Sequence, residues 1–454
     1  MNTLDDTIAA IATPVGVGGI GIVRLSGPSS LEILNHFFSP SSRINSLESH
    51  KIYHGWATLS GRRLDEVLVS FMAGPKSYTG EDSVEISCHG GRLILHKILA
   101  LAVEAGAKLA ERGEFTRRAF LNGKIDLLKA EAVLDLIQAK SSAGLTVAAA
   151  QLGGSLSSRI ALLRTGALEL LTAIEAALDF PEDIADLGRG EADKRIDSLL
   201  QEIGALLASA DDGRVIREGV RLAIVGRPNV GKSSLLNCLV ENDRAIVSDL
   251  PGTTRDTIEE CVVINGLAFV LVDTAGLRPA ENKAEESGIG RTMTEIDRAD
   301  MVVFVVDAST SLSTEDLKGI SMTNPERAII VMNKIDLGVC TDPGVGPQGR
   351  PTFFTSALSG AGIKKLKDGL VNFVLHGKEL GPLGGGFINL RHKECLIRAR
   401  EALARTQGAL AANEPMDLIA IDLRHAIIAL GEISGHQVSE EIVDQIFEKF
   451  CVGK

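Results

Sequence analysis

The chain has 454 residues, 45% of them hydrophobic and 23% charged, which excludes a largely disordered protein and leaves room for two or three domains. A net charge of −12 speaks against a generally basic nucleic-acid binder, though a local basic patch stays open, and 4% aromatic content with one Trp and two Tyr speaks against a base-stacking platform. The six cysteines, Cys88, Cys238, Cys261, Cys340, Cys395 and Cys451, form no CxxC pair, so neither a zinc site nor a disulfide framework is expected. The acidic start, Met1-Asn2-Thr3-Leu4-Asp5-Asp6, does not read as a signal peptide, and no apolar run approaches membrane-spanning length; a cytoplasmic protein with no membrane partner is expected.

In chain order, the first 120 residues read as α+β. Strands are expected at Ile20–Leu25, Glu66–Phe71 and Ser83–Cys88, and a helix over Leu93–Ala105. From about Asp126 the texture turns helical. Leu127, Leu128, Ala132, Val133, Leu136 and Ile137 form one stripe, Ile160–Leu178 and Ile196–Leu207 continue it, and Pro181–Gly190 reads as a loop. Near Leu222 strands begin to alternate with helices. Gly377–Gly386 reads as a linker, after which helical spacing resumes over Leu390–Leu410 and Glu440–Phe450. Helices interrupted by an insertion pack together again, because each carries an unburied apolar stripe. The expected organisation is an α+β domain over 1–120, a helical domain over 121–218 and 378–454, and an inserted α/β domain with a mostly parallel sheet over 219–377.

The strongest chemical signal is Gly226-Arg227-Pro228-Asn229-Val230-Gly231-Lys232-Ser233, which fits GxxxxGK[ST] between the apolar strand Leu222–Val225 and a helix carrying Leu235, Leu236 and Leu239. Such a loop wraps a phosphate in backbone amides; Lys232 reaches the terminal phosphates and the Ser233 hydroxyl ligates Mg²⁺. Asp273-Thr274-Ala275-Gly276 ends a second apolar run, where the Asp can hold the metal through water and the Gly276 amide can sense the γ-phosphate. Asn333-Lys334-Ile335-Asp336 ends a third, where Asp336 can accept from the N1 and N2 donors of guanine, a pair adenine lacks. Ser356-Ala357-Leu358 would close over the base. In Gly252-Thr253-Thr254, Thr254 can complete Mg²⁺ coordination when the γ-phosphate is present. Four such segments in this order, each after a strand, specify a GTP site; singly, each is a common strand-end loop.

Leu277 stands where many GTPases carry a water-orienting Gln, so water positioning and the charge-stabilising cation must come from elsewhere. Arg255, Glu281, Glu285 and Glu286 are open candidates from spacing alone. Gly16-Val17-Gly18-Gly19-Ile20-Gly21 fits GxGxxG, but its strand follows rather than precedes, which argues against dinucleotide binding. Cys88 reads as a strand-end residue, His425 and His436 lack a ligand set, and the Cys451–Lys454 tail, from spacing alone, reads as frayed.

Taken together these residues resemble the family of tRNA-modification GTPases MnmE (TrmE), within the wider TrmE-Era-EngA-like group. The resemblance spans nearly the whole chain. It rests on Ala12-Thr13-Pro14 with Gly18–Arg24, Ser77–Asp82, Cys88–Gly91, Gly113–Thr116 with Arg118–Lys124, and Phe450–Lys454, as well as on the nucleotide motifs. It implies an N-terminal domain like folate-binding proteins of the glycine-cleavage T type, which forms a homodimer and binds a tetrahydrofolate derivative (5-formyl or methylene form) through Arg24, Glu81, Lys124 and Lys454. It implies K⁺ at Asn229, Ser248, Leu250 and Thr253, where an arginine finger would otherwise place charge, and water positioning by Glu285. The GTP contacts it implies take in Asn229, Val230, Gly231, Lys232, Ser233 and Ser234, the run Ser248-Asp249-Leu250-Pro251-Gly252-Thr253-Thr254, and the motif residues at 273–276, 333, 334, 336 and 356–358. It makes Cys451 a tail thiol of importance and the FAD protein MnmG (GidA) a partner. The implied function is K⁺-dependent GTP hydrolysis serving the addition of an aminomethyl or carboxymethylaminomethyl group at C5 of the tRNA wobble uridine. The alternatives are an Era-like regulatory GTPase of ribosome assembly, which would need a basic RNA-binding flank, and a folate-binding scaffold regulated by GTP.

Overall fold

A computed structural model describes residues 5–14, 16–179, 188–240, 261–272, 296, 299–340, 349–375, 377 and 387–454. The N-terminal part builds a seven-stranded sheet from β1 (Ile8–Ile11), β2 (Ile20–Ser26), β3 (Phe38–Pro40), β4 (Lys51–Leu59), β5 (Arg62–Met72), β6 (Ser83–His89) and β7 (Lys108–Leu109), in the order β3-β4-β5-β6-β2-β1-β7. All pairings are antiparallel except β1 with β7. Period-two patterning decides its faces. Val23 and Leu25 of β2 lie opposite Ile86 and Val84 of β6, all four fully buried, while the intervening Arg24 and Glu85 pair on the other face. α1 (Ser30–Asn35) and α2 (Arg92–Glu104) cover the apolar face through Ile33, Leu34, Leu95, Ile98 and Ala102; α3 (Glu114–Leu121) lies near the tail of the chain.

The helical region follows: α4 (Leu127–Gln138), α5 (Ser142–Leu152), α6 (Ser155–Asp179), α7 (Arg189–Ala208) and α8 (Ala210–Glu218). Asp126 and Ser141 cap α4 and α5, their side chains accepting from the amides of Lys129 and Gly144. Of the segment expected as a loop over 181–190, Arg189 and Gly190 belong to α7, and residues 181–187 lie outside the described residues.

A six-stranded sheet then forms from β8 (Val220–Val225), β9 (Cys261–Ile264), β10 (Leu267–Leu271), β11 (Met301–Asp307), β12 (Ala328–Asn333) and β13 (Thr352–Phe354), with α9 (Lys232–Val240), α10 (Thr314–Met322) and α11 (Ile363–Val374). The order is β13-β12-β11-β8-β10-β9, parallel except for the β9–β10 hairpin. That hairpin turns on Asn265 and Gly266, both at positive φ (48° and 86°), as a two-residue turn between right-twisted strands demands. β12 is buried along its whole length, because its two faces feed two separate apolar clusters, and this explains its uninterrupted apolar sequence. Chain order reverses between β8 and β11, so the crevice at their carboxyl ends is where a ligand belongs.

α12 (Leu390–Ala411), α13 (Met416–Ser434) and α14 (Glu440–Phe447) return to the earlier helices. Leu163 and Leu170 of α6, Ile196 and Ile203 of α7, Leu396 and Leu403 of α12 and Leu423 and Leu430 of α13 share one core, so the two helical stretches form a single packed unit. Truncating any one of these leucines to Ala costs about 2–5 kcal/mol. The last helix stops at Phe447, short of the Phe450 expected from spacing. Among the described residues no helix is long and apolar enough to cross a membrane.

Candidate nucleotide site and N-terminal site

β8 delivers Val225 to the crevice, and the backbone then turns on Gly226 at φ +147°. A Cβ on Gly226 would lie 2.2 Å from the Val305 carbonyl of β11, so only glycine permits this approach. Asn229 (φ +65°) and Gly231 (φ +95°) complete the bend before Lys232 opens α9. Lys232 Nζ donates to the Gly226 and Arg227 carbonyls, each at 2.8 Å, linking the first residue of α9 to the first two residues of the loop. Burial lowers its pKa. The left-handed backbone, the helix start and the lysine are the cradle a triphosphate requires, and Ser233, next on the helix, is the residue type that ligates Mg²⁺ there.

Asn333, 1% exposed at the end of β12, joins three loops. Its Nδ2 donates to the Val230 carbonyl (3.0 Å), while its Oδ1 accepts from the Ala357 amide (3.0 Å) and Thr355 Oγ1 (3.3 Å). The phosphate loop and the two loops expected around the base are thereby fixed to one buried amide. A Cβ on Gly231 would stand 2.3 Å from that Nδ2, which explains the glycine. Lys334 sits at φ +67° with Nζ 2.7 Å from Asp307 Oδ2; burial opposes ionisation of Asp307, but the bonds from Lys334 and Ser309 outweigh it and lower its pKa. Asp336 is exposed on the 3-10 turn Ile335–Leu337, and Leu358 is exposed beside buried Ser356. Ser356 Oγ accepts from the Ser359 amide (3.1 Å), and Cys238 Sγ donates to the Ala357 carbonyl (2.9 Å). Sequence reading missed Asp307, Asp316 and Thr355. Ser248, Asp249, Leu250, Pro251, Gly252, Thr253, Thr254, Asp273, Thr274, Ala275, Gly276 and Glu285 lie outside the described residues, as do Arg255, Leu277, Glu281 and Glu286.

A second cluster forms in the N-terminal part. Arg24 pairs with Glu85 (2.7 Å), donates to the Gly453 carbonyl (3.2 Å) and lies 5.6 Å over the Phe115 ring. Glu81 accepts from Ser26 Oγ (2.7 Å) and from Arg118 (3.2 Å), a nearly buried guanidinium that also holds Asp6 and Glu114. Lys124 donates to the Pro75 carbonyl (2.8 Å), and its chain would meet a Cβ on Gly80, the neighbour of Glu81, at 3.3 Å. The tail is not frayed. The Gly113 amide donates to the Cys451 carbonyl (3.3 Å), Arg112 bridges Val452, and Gly453 at φ +92° packs where a Cβ would stand 2.4 Å from the Ile11 carbonyl. Burial, and then the charge of Arg24, lower the pKa of Lys454; Cys451 stays exposed. The GxGxxG run serves sheet geometry: Gly18 N donates to Gly90 O (3.1 Å), and β2 follows directly. Cys88 is buried at the end of β6, where burial pushes its thiol up to about 11, an inert state.

A mostly parallel sheet whose first strand feeds this phosphate loop, tied through Asn333 to the Asn-Lys-x-Asp loop and set between two stretches of one helical unit, defines a P-loop GTP hydrolase. Residues 127–451 match the family model described as the MnmE helical domain, and residues 7–124 that of the GTP-binding protein TrmE N-terminus. The tRNA modification GTPase MnmE of Geotalea uraniireducens is 44% identical over 455 residues, covering 99% of this chain and all of that protein. Its counterpart in Moorella thermoacetica is 45% identical over 463 residues, again 99% of this chain and all of that protein. Among solved structures, the G domain of the Thermotoga maritima FeoB iron transporter is 27% identical, over 34% of this chain and 98% of that one, at TM-score 0.25. Era of Aquifex aeolicus is 26% identical over 40% of this chain and 66% of that one, also at 0.25; at such scores neither likeness carries weight. The chain belongs to the MnmE family of tRNA modification GTPases.

Proposed function

We propose that this enzyme is a K⁺-dependent GTP hydrolase that works as a homodimer with the FAD protein MnmG, in the cytoplasm, to install the aminomethyl or carboxymethylaminomethyl group at C5 of the wobble uridine of tRNA. Full-length similarity at 44% to a protein named tRNA modification GTPase carries the reading, since it spans the N-terminal, helical and nucleotide-binding parts together. Mg²⁺ held by Ser233 and Thr254 supplies charge neutralisation at the β- and γ-phosphates when bound. The chain's own residues do the rest. Lys232 exchanges its carbonyl partners for phosphate oxygens, Asp336 accepts from guanine, and Glu285 orients water. In this proposal Asn229, with Ser248, Leu250 and Thr253, holds K⁺; the left-handed turn at Asn229 inside the phosphate loop supports a role at that bend.

The four residues proposed for a tetrahydrofolate derivative, Arg24, Glu81, Lys124 and Lys454, belong to one neighbourhood. Arg24 contacts the tail that ends in Lys454, Ser26 of the same strand contacts Glu81, and Lys124 packs beside Gly80. We place the α+β folate and dimerisation domain at 1–120, the helical domain at 121–218 and 378–454, and the nucleotide domain at 219–377.

Two measurements test the proposal. GTP turnover should be at least tenfold faster in K⁺ than in Na⁺ at equal ionic strength, in line with the weight of a transition-state cation; equal rates refute the potassium role. Cells lacking the protein should lose the C5 substituent from tRNA wobble uridines, as read by nucleoside mass spectrometry; an unchanged profile refutes the tRNA role.

A further inference from the structure

The segment from Asp307 to Asp316, between β11 and α10, carries a carboxylate at each end, and neither belongs to the motifs that grip the nucleotide. Asp316 is fully buried in the first turn of α10. One of its oxygens accepts from the Ser313 amide (3.0 Å) and Ser313 Oγ (2.7 Å), and that oxygen alone completes the helix cap. The other accepts from Arg227 Nε at 2.8 Å. Arg227 is the second residue of the phosphate loop, and its carbonyl is one of the two that hold Lys232. At the opposite end, Asp307 accepts from Lys334 Nζ (2.7 Å) and from the Ser309 amide (3.0 Å) and hydroxyl (2.6 Å). Lys334 is the second residue of the loop that ends in Asp336.

The capping box asks only one acceptor oxygen of its third helical residue, and the side-chain oxygen of an Asn would serve it as well. A fully buried carboxylate is costly unless paired, so a second oxygen aimed at a cation in a ligand-binding loop points to a role beyond capping. We infer that the Asp307–Asp316 connection is a brace across the nucleotide site, in which Asp316 positions the phosphate loop through Arg227 and Asp307 positions the base loop through Lys334. Both are positioning residues and neither touches the nucleotide. With Asn333, which ties the same loops from the β12 side, the brace presets their separation before ligand arrives. The inference concerns nucleotide binding alone and holds whichever tRNA chemistry the enzyme serves.

The test is competition of GMP, GDP and GTP, with Mg²⁺, against a fluorescent guanine nucleotide on full-length Asp316→Asn, Arg227→Ala, Arg227→Lys and Asp307→Asn. Asn at 316 retains the cap and removes the charge facing Arg227. Because one charge-assisted hydrogen bond acts on the phosphate end, Asp316→Asn and Arg227→Ala should each weaken GTP and GDP roughly tenfold and GMP less. The double variant should be no weaker than either single, and Arg227→Lys should recover part of the loss. Asp307→Asn should weaken all three nucleotides by one common factor, roughly fivefold, because only the base end is displaced. A purely structural role predicts lower melting temperatures with unchanged affinities, or penalties that add in the double variant, and either result overturns the brace. If Asp316→Asn fails to fold, the half-exposed Arg227 still decides the matter: Arg227→Ala with wild-type GDP and GTP affinity overturns it.

Discussion

Glu131 of α4 offers the sharpest test of how the two helical stretches are joined. Its carboxylate is almost fully buried and accepts from Arg391 Nε (3.0 Å), Arg391 Nη2 (3.1 Å) and His392 Nε2 (2.6 Å), all from α12 on the far side of the insertion. Arg391 also donates to the Glu432 (2.8 Å) and Ile433 (3.0 Å) carbonyls at the end of α13. Asn389 N–H donates to His392 Nδ1 (3.2 Å), so the ring proton sits on Nε2 and points at Glu131. Burial lowers the pKa of that imidazole, so it is neutral at pH 7 and the positive charge of the cluster is Arg391. Burial opposes ionisation of Glu131, but the hydrogen bond from His392 and the bonds and charge of Arg391 outweigh this and hold its pKa far below the usual carboxylate range. Glu131→Gln keeps the shape and removes the charge. Breaking one partner of a buried pair costs about 3–5 kcal/mol; because Arg391 retains its carbonyl partners and some solvent, we expect about 2–3 kcal/mol. That corresponds to roughly 4–12 °C in melting temperature for a unit of this size. Since the folded pKa lies below the unfolded one, the contribution is complete above about pH 5 and fades as pH falls toward the folded value. Urea unfolding of both proteins, followed by circular dichroism across pH, checks this. A gap under about 0.5 kcal/mol at pH 7, the size of an ordinary surface change, would refute the reasoning. A gap unchanged at strongly acid pH would refute it too.

Asp135, one turn along α4, shows the opposite sign. Burial pushes its carboxyl up to about 6, with Arg217 opposing and Glu131 and Glu218 adding to the rise. A folded pKa above the unfolded one destabilises the protein as pH rises through 6, so Asp135→Asn should gain about 1–3 kcal/mol at pH 8 and nothing at pH 4, by paired unfolding curves. Gly231→Ala combines a left-handed backbone with a Cβ 2.3 Å from Asn333 Nδ2 and should cost roughly 100-fold in GTP affinity together with about 1–3 kcal/mol of stability, read by nucleotide titration and thermal unfolding. Asn333→Ala strands the Val230 carbonyl and the Ala357 amide, and should weaken GTP by about 100-fold as measured by calorimetry. Asp336→Asn replaces two acceptor positions by one acceptor and one donor, which should abolish the preference for GTP and favour xanthosine triphosphate in competition assays.

The nucleotide site was legible because its parts are local. Gly226, Gly231, Lys232 and Ser233 fall within eight consecutive residues, and the buried strands beside them are uninterrupted apolar runs. What sequence reading missed depends on partners far along the chain. Asp307 acquires its role from Lys334, and Asp316 from Arg227, so each alone reads as a turn carboxylate. α13 escaped notice because Leu418, Ile421 and Ile428 face outward while Ile419, Leu423 and Leu430 face the core, which erases the stripe that marks a helix. β1 escaped because Ala9 and Ala10 are poor strand formers; register with β2 on one side and β7 on the other makes it a strand. The docked tail was illegible for a similar reason: its holds are the backbone of Gly113 and Arg112 and the side chain of Arg24, none of which spacing near the terminus can announce.

The same physics explains how a helical unit tolerates a whole nucleotide domain in its middle. The chain leaves the helices through α8 and returns at Phe387, and these two crossings touch. A Cβ on Gly213 of α8 would stand 2.3 Å from the Phe387 side chain, and Gln151 of α5 donates to the Phe387 carbonyl. With its ends held together, the insertion acts on the helices as one closed loop, and the entropy of closing a loop grows only with the logarithm of its length. The glycine at 213 is therefore selected by the insertion rather than by α8, whose interior it weakens by about 1 kcal/mol relative to Ala. The carboxylate at 131 then ties together α4 and α12, which the insertion separates in sequence, so a buried polar cluster and a tight crossing reinforce the apolar core that the two distant stretches of chain share.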